Sequence, residues 1–315
     1  MVCLIDNSNI INISYAVFVQ TMKNKNGLDY VIKEEDLGMF WHLYVHKIKD
    51  YLCTYKNIIF CGEGHNSTAW RKARYPLYKE NRKERADNPD YAFIGKCYKD
   101  VDQFLHLFHC KTMRVENCEA DDVIYKLSEY FTSKGEEVNI ISSDKDLTQI
   151  CGDFDGVTVF NPLSNVNKKC VAVTNADNYN KNIIFEKAIV GDPSDNIKGL
   201  PRCGGKTFEK MMNDKAEWGK QMAKGDNQKL FETLLDIVDL SRYPKEYQDK
   251  IIKQFESFDY YDFDVVGVEK FYLDNNLNQC LREWSSLSGD IQIMLSGSEE
   301  NLKSAEDEIL EMINS

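Results

Sequence analysis

Short apolar runs that each end near a carboxylate limit the possible folds of this chain most strongly. The runs lie at residues 2–5, 57–61 and 138–141, and the acids that follow them are Asp6, Glu63 and Asp144. Short apolar runs bounded by turn residues are typical of buried parallel strands. Because the carboxyl ends of parallel strands meet at one edge of a sheet, we expect these three side chains to converge there.

Segments with helical periodicity separate these runs. Apolar residues recur at helical spacing in residues 34–55, 91–109 and 123–131. Further strand-like runs lie at residues 112–115, 156–160 and 170–174. The alternation predicts an α/β fold with a mostly parallel sheet and helices on both faces. Helices dominate beyond residue 175, including residues 178–190, so we predict an α/β domain over residues 1–175 and a helical region over residues 176–315.

Two acidic clusters lie close together in the middle of the chain. Glu119, Asp121 and Asp122 open a predicted helix, whereas Asp144 and Asp146 follow a predicted strand. The helix dipole favours acids at a helix start, which explains the first cluster without any function. However, carboxylates gathered this densely raise one another's pKa, and a hard cation such as Mg²⁺ or Mn²⁺ removes that repulsion. The two clusters together therefore favour a metal site.

The net charge of −12 argues against a polyanionic partner, but the distribution of charge is more informative. Residues 70–86 contain seven lysines and arginines against two glutamates, interleaved with Trp70, Tyr75 and Tyr78. A solvated charged face is the ordinary explanation for such a run. The mixture of cations and aromatic rings is also the one that binds single-stranded nucleic acid.

The composition argues against disulfides, zinc and membrane insertion. The chain has 10 cysteines, none of them in a Cys-x-x-Cys pair, and most lie in apolar segments. Free thiols in a reducing cytoplasm explain this pattern. The amino terminus is predicted to be a strand, not a secretory signal. No apolar stretch approaches the roughly 18 residues that span a bilayer. We therefore expect a cytoplasmic protein that makes no contact with membranes.

A glycine-rich turn at residues 191–207 precedes a helix that is predicted to begin near Thr207. Backbone N–H groups of such a hairpin can face phosphate, and Lys206 adds a positive charge. A plain loop between two helices explains the same glycines. The spacing has one residue too many for a Walker loop, and no strand precedes it. Asp192 and Asp195 add two acids that could complete the metal site.

Taken in order, these segments resemble the 5′ nuclease (flap endonuclease) superfamily, in particular its phage branch, typified by the T-even phage ribonuclease H. The matching segments lie at residues 4–6, 78–82, 119–122, 142–146 and 191–196, within the first two thirds of the chain. The resemblance implies a PIN-like nuclease domain that binds two Mg²⁺ or Mn²⁺ ions. It also implies a helical arch over about residues 68–95 and a helix–three-turn–helix motif over about residues 186–212.

The resemblance also implies roles for individual residues. The expected ligands are Asp6, Glu63, Glu119 and Asp121 for the first metal, and Asp144, Asp146, Asp192 and Asp195 for the second, with Asp122 close by. The expected catalytic residues are Lys79, Arg82, Asp144 and Asp146. The expected nucleic-acid contacts are Arg71, Lys72, Arg74, Tyr78, Lys79, Arg82, Lys83, Gly199, Gly204, Gly205 and Lys206, with K⁺ at the hairpin. The family usually has Asp where Glu63 stands, and the longer Glu can ligate directly or through water.

The implied activity is that of a 5′–3′ exonuclease or flap endonuclease that removes RNA primers during replication. Its substrates would be DNA with 5′ flaps or nicks and RNA–DNA duplexes. Two other functions stay open, namely a PIN-type ribonuclease acting on single-stranded RNA and a DNA-structure-binding protein without catalysis. We expect a monomer. A charged helix at residues 299–313 could dock a sliding clamp or single-strand-binding protein, although a solvated helix explains the same charge.

Overall fold

A six-stranded sheet forms the centre of the computed structural model, which describes residues 1–82, 87–163 and 172–296. The strands are β1 Val2–Asp6, β2 Ile58–Gly62, β3 Lys111–Arg114, β4 Val138–Ile141, β5 Val157–Asn161 and β6 Ala172–Thr174. Their spatial order is β3-β2-β1-β4-β5-β6. The first five strands run parallel, and β6 pairs with β5 in the antiparallel direction. The predicted mostly parallel α/β sheet is confirmed.

Strand β1 is buried along its whole length between β2 and β4. Coverage of both faces explains why these strands are continuous apolar runs and do not alternate with polar residues. Asp6 pairs in register with Cys61, and Ile5 pairs with Ile141. The strand order reverses direction between β1 and β4, and open α/β sheets bind ligands at the carboxyl ends of strands at such a reversal. The sheet therefore brings Asp6 and the residues that follow β2 and β4 to one edge.

Helices cover both faces of the sheet and make up most of the second half of the chain. They are α1 Asn7–Asn26, α2 Leu37–Thr54, α3 Ala69–Arg74, α4 Ile94–Leu105, α5 Ala120–Thr132, α6 Ile150–Asp153, α7 Ile183–Val190, α8 Gly205–Asn213, α9 Lys215–Met222, α10 Asn227–Val238, α11 Lys245–Glu256, α12 Val265–Asp274 and α13 Asn278–Ser296. Single 3-10 turns lie at Glu34–Asp36, Glu80–Arg82, Pro89–Tyr91, Asp146–Gln149 and Leu240–Arg242. No helix in the described ranges is both long and apolar enough to cross a membrane.

Three apolar clusters hold the elements together. One face of the sheet packs against α1, α2 and α4, and the same cluster includes Tyr272 and Trp284 from α12 and α13. The other face packs against α5 and α11. Helices α7 to α10 surround a third cluster that includes Tyr78. The helical region thus packs on both faces of the sheet, while the predicted boundary at residue 175 stays a prediction.

The predicted strands at residues 2–5, 57–61, 112–115, 138–141 and 156–160 are confirmed to within one residue at each end. The helix predicted to begin at residue 178 begins at Ile183 instead. Side chains of Asn175, Asn178 and Asn180 accept hydrogen bonds from nearby backbone N–H groups and hold the preceding residues in turns. The nine cysteines in the described ranges are free thiols, as predicted. Residues 299–313 and Lys83 lie outside the described residues.

Candidate metal centre

Asp6 is the last residue of β1 and lies beside the end of the neighbouring strand β4. As the N-cap of α1, its Oδ1 atom accepts a hydrogen bond from the backbone N–H of Asn9 at 2.9 Å. Its Oδ2 atom accepts one from the Ser142 hydroxyl, just after β4, also at 2.9 Å. The hydrogen bond from Ser142 is buried and the one from Asn9 is partly buried. Asp6 is therefore held in one orientation at the edge where the acids meet.

Three further acids gather around Asp6 at this edge. Asp6, Glu63, Asp121 and Asp144 line one cleft of about 420 Å³ together with Lys79 and Arg82. Burial, together with the charge of Asp144, raises the pKa of Asp6 to about 6. Burial likewise raises the pKa of Asp121 well above its usual range, with Asp144 and Asp6 adding to the effect. These carboxylates repel one another in a site that lacks enough positive charge to balance them.

Glu63 lies in the same cleft, and its carboxylate is only partly hydrogen-bonded. Burial raises the pKa of its carboxyl to about 7, and the charge of Glu119 acts in the same direction. Its buried Oε2 atom has no hydrogen-bond partner among the described residues. An unpartnered buried carboxylate oxygen is costly unless a cation or water satisfies it. The donor set of the cleft, all hard oxygens with one of them unsatisfied, fits a divalent cation such as Mg²⁺ or Mn²⁺.

Glu119 differs from these acids because the protein itself neutralises it. It is the N-cap residue of α5 and accepts hydrogen bonds from Arg71 at 2.6 Å, from the Tyr78 hydroxyl at 2.9 Å and from the Lys79 ammonium. Burial opposes its ionisation, but Lys79 and Arg71 outweigh burial and lower the pKa of Glu119 to about 2. Glu119 thus ties the basic segment, residues 70–82, to the edge of the sheet.

Arg71 and Asp122 form a second buried ion pair beneath the cleft. The Arg71 guanidinium donates to both Asp122 carboxylate oxygens, at 2.6 and 2.9 Å, and also to the carbonyl of Ile237 at 3.2 Å. Asp122 also accepts from the backbone N–H of Glu119 at 2.9 Å. Arg71 is only 2% exposed. Arg71 is thus buried and the Asp122 oxygens are engaged, while the DNA contact predicted for Arg71 and the metal site predicted for Asp122 stay predictions.

A second group of acids lies beside the cleft. Carboxylate oxygens of Asp146, Asp192 and Asp195 all lie within 4.8 Å of one another, close enough to share one cation. The ammonium of Lys187, on α7, already pairs with Asp146 and with Asp192. A divalent ion held by all three acids would displace that ammonium. Lys187 was not predicted, because a lysine near a helix end is common and carries no signal of its own.

The basic segment contacts the loop that carries Asp192 and Asp195. The backbone N–H of Lys79 donates to the carbonyl of Asp195 at 2.9 Å, and the Asn196 amide donates to the carbonyl of Leu77 at 2.7 Å. The Arg82 guanidinium pairs with the Asp195 carboxylate at 2.9 Å. These contacts bring the two acidic groups and the two cations, Lys79 and Arg82, to one place.

The remaining residues of the predicted nucleic-acid set in the basic segment differ in exposure. Arg82 is 54% exposed, whereas Tyr78 is only 3% exposed and belongs to the apolar cluster of α7 to α10. The Tyr78 ring therefore has no free face for a base to stack on. Arg74 is exposed and pairs with Asp236, and Lys72 is half-buried. The predicted arch stays a prediction, since residues 83–86 are outside the described ranges.

The predicted hairpin has the backbone geometry that its glycines suggested. Gly199 has a φ of +66°, and a Cβ atom there would come within 2.5 Å of the Ile189 carbonyl oxygen. Gly204 and Gly205 begin α8 and, like Lys206, are exposed. The Thr207 N–H donates to the Gly204 carbonyl at 2.9 Å, which leaves the N–H groups of Gly205 and Lys206 to face a phosphate or another anion.

Comparison with known proteins agrees with this fold and this arrangement of acids. A family model described as 5'-3' exonuclease, N-terminal resolvase-like domain, matches residues 1–187, more than half of the chain. The chain belongs to this family. The resemblance to 5′ nucleases inferred from the order of its acidic segments is therefore confirmed.

Individual relatives of this 5'-3' exonuclease family member differ in how much they share with it. A 5'-3' exonuclease of Buchnera aphidicola is 31% identical over 145 residues, which are 44% of this chain and 48% of that protein. The chain thus spans about half the length of this relative. Ribonuclease H of Enterobacteria phage T4 is 24% identical over 310 residues, 88% of this chain and 95% of that protein. A bacteriophage T5 flap endonuclease, solved with DNA and metal ions, shares the fold with a TM-score of 0.55, at 18% identity over 81% of this chain and 97% of that chain.

We predict that Arg71→Met lowers the free energy of unfolding by about 3–5 kcal/mol, because it leaves a buried carboxylate without its cation. Urea denaturation monitored by circular dichroism measures this loss. The matched control is Arg74→Met, in the same helix, whose exposed ion pair with Asp236 should contribute no more than about 1 kcal/mol. Equal small losses in both variants would contradict the structural role of Arg71.

We also predict that Glu63→Gln stabilises the metal-free protein at pH 8 and leaves it unchanged at pH 4. The pKa of Glu63 rises from about 4.3 in an unfolded chain to about 7 in the folded protein. The folded state therefore binds the proton more tightly, and wild-type stability falls as the pH rises between these values. The expected gain is roughly 1–3 kcal/mol, measured by urea denaturation in a chelator, with the exposed Glu116→Gln as control. A gain that is the same at both pH values would refute this explanation.

Proposed function

We propose that this chain is a metal-dependent 5′ nuclease that hydrolyses phosphodiester bonds near the 5′ ends of DNA and RNA–DNA duplexes. The observation that supports this most directly is the convergence of Asp6, Glu63, Asp121 and Asp144 in one cleft beside Lys79. Uncompensated acids next to a fixed cation suit a reaction in which metal ions and a negatively charged phosphate come together. Removal of RNA primers follows as the proposed biological role, in line with the name of the phage T4 relative.

Two groups of acids would hold two divalent ions. Asp6, Glu63, Asp121 and Asp144 would hold the first, and Asp146, Asp192 and Asp195 the second. This proposal moves Asp144 to the first ion, because it lines the cleft with Asp6, whereas the family resemblance implies it as a ligand of the second. Such ions lower the pKa of a bound water and neutralise charge on a phosphate. Glu119 would support the first site mainly through Lys79 and Arg71, since these cations already neutralise its carboxylate.

Lys79 and Arg82 would act on the phosphate in different ways. Lys79 is buried and held by Glu119, so its ammonium supplies a fixed positive charge at the wall of the cleft. Arg82 is exposed, and its one ion pair within the described ranges is with Asp195, so it can turn to a phosphate oxygen. Fixed donors that face developing charge stabilise a transition state without reorganisation. Arg82 is therefore the better residue for a test of this role, because its loss leaves Glu119 paired.

The helical region would supply contacts to duplex DNA. The exposed start of α8, with Gly204, Gly205 and Lys206, presents backbone N–H groups and one positive charge to a phosphate. A potassium ion bound by the hairpin at residues 191–207 could bridge the protein and the DNA backbone. Contacts of this kind depend strongly on salt and carry no sequence preference. We propose a monomer, with any docking of replication proteins assigned to residues 299–313, which lie outside the described residues.

We predict that Asp144→Asn and Asp146→Asn lower the cleavage rate on the order of 10²- to 10³-fold or more, while the fold and most DNA affinity remain. The assay follows 5′-labelled flap, nicked and RNA–DNA substrates, and linear single-stranded RNA, with Mg²⁺, Mn²⁺ or a chelator. Asp155→Asn, an exposed aspartate just before β5 at the opposite edge of the sheet, is the matched control.

Full activity in either Asp144→Asn or Asp146→Asn would exclude this site. Preference for linear RNA would favour a PIN-type ribonuclease, and no product on any substrate would favour a binding protein.

For Arg82→Ala we expect a fall in the single-turnover rate on the order of 10²-fold and little change in DNA affinity. The reason is that the guanidinium would contact the phosphate mainly in the transition state, when negative charge develops on the phosphate. Arg82→Lys should recover part of the rate. Arg242→Ala, which removes an exposed arginine from another surface ion-pair group, serves as the control. A rate equal to wild type, or a loss confined to affinity, would reject this role for Arg82.

A further inference from the structure

A second group of metal-ligating side chains lies apart from the acidic cleft. His42 and His46, on α2, meet Cys280, near the start of α13. One nitrogen of each imidazole and the Sγ atom all lie within 4.8 Å of one another. These residues come from opposite ends of the chain. The cluster therefore exists only because the two helices pack together.

The geometry of the cluster suits a bound ion. Histidines four residues apart project from the same face of a helix, a spacing that zinc proteins use. The two rings stand edge to face with centroids 4.4 Å apart, so they do not stack on each other. The buried Nε2 atom of His46 has no hydrogen-bond partner in the part of the chain that the structure describes. Cys280 is only 4% exposed. A cation would satisfy the unpartnered nitrogen.

The donor atoms select the metal. Two imidazoles and a thiolate prefer Zn²⁺ over Mg²⁺ or Mn²⁺, which take oxygen ligands. In a tetrahedral zinc site the ligand atoms lie roughly 3.3–3.6 Å apart, so the three side chains need to close by only about 1 Å. Glu283, three residues beyond Cys280 on α13, pairs with the Lys49 ammonium at 2.7 Å, and this ion pair would have to open for Glu283 to serve as a fourth ligand. Water is the alternative fourth ligand.

Binding of a metal would release a proton from the cluster. Zinc binds the thiolate form of cysteine and the neutral form of histidine. The Cys280 thiol would therefore give up its proton to solvent as the metal binds.

We propose that His42, His46 and Cys280 form a structural zinc site that joins α13 to α2. Both helices belong to the apolar cluster on one face of the sheet. A metal link between residues so far apart in sequence closes a long loop and restricts the unfolded chain. The site would stabilise the docking of the helical region on the nuclease domain, and it does not depend on the proposed nuclease activity.

Cobalt titration of the full chain tests this site by absorbance. After removal of metal with a chelator, one equivalent of Co²⁺ should produce a sulfur-to-cobalt charge-transfer band in the near ultraviolet. Cys280→Ala should abolish the band, and His42→Gln or His46→Gln should weaken binding on the order of 10²-fold. Cys151→Ala and His106→Gln, a buried cysteine and an exposed histidine elsewhere, should behave as wild type. Cobalt in the acidic cleft cannot give this band, because no sulfur lines it in the described residues.

Zinc-dependent melting provides a second measurement. Zn²⁺ should raise the melting temperature of the wild-type protein and of Asp144→Asn by several degrees, and should leave Cys280→Ala unchanged. A cobalt complex without the sulfur band, or a band that persists in Cys280→Ala, would overturn the proposal. A zinc effect that survives in Cys280→Ala but disappears in Asp144→Asn would place the stabilising ion in the acidic cleft and equally refute it.

Discussion

The rest of the site depends on a buried network of charge in which Arg71 and Lys79 neutralise Glu119 and Asp122. All four groups are almost completely removed from water, so each is tolerable only because its partners are in place. The network joins the basic segment to the first turn of α5. Since α5 packs on the sheet, the position of both cations is set by the core and not by a surface loop. The acidic cleft therefore has a rigid positively charged wall.

The acids at the edge of the sheet form two chemically different sets. Glu119 and Asp122 are neutralised by the protein, whereas Asp6, Glu63 and Asp121 keep raised pKa values in the cleft. Titratable groups that remain unbalanced inside a cleft are a mark of functional sites, because such an arrangement costs stability. The trio of Asp146, Asp192 and Asp195 lies between these extremes, since Lys187 neutralises part of it. The protein thus supports its proposed chemistry with one set of carboxylates and its structure with another.

The end of the chain contributes to the core of its beginning. Tyr272 and Trp284 pack in the same apolar cluster as Phe40 and Phe104, and the cluster of His42, His46 and Cys280 lies where these helices meet. Helices α7 to α10 are joined to the basic segment through Tyr78. The helical region therefore contacts the rest of the described chain on both faces of the sheet and beside the cleft. A shift of the helical region would disturb the acids as well as the proposed DNA contacts.

Local sequence determined the strands, because a buried parallel strand is a short apolar run whatever surrounds it. It also determined that Asp6, Glu63 and Asp144 share an edge, since parallel strands leave no other place for residues at their carboxyl ends. Only the tertiary structure decided which acids are neutralised. Arg71 lies in a segment that looks solvated in sequence, and its burial against Asp122 depends on the packing of α3 beside α5. Lys187 and the pairing of His42 with Cys280 depend in the same way on contacts between distant segments, for which no local pattern exists.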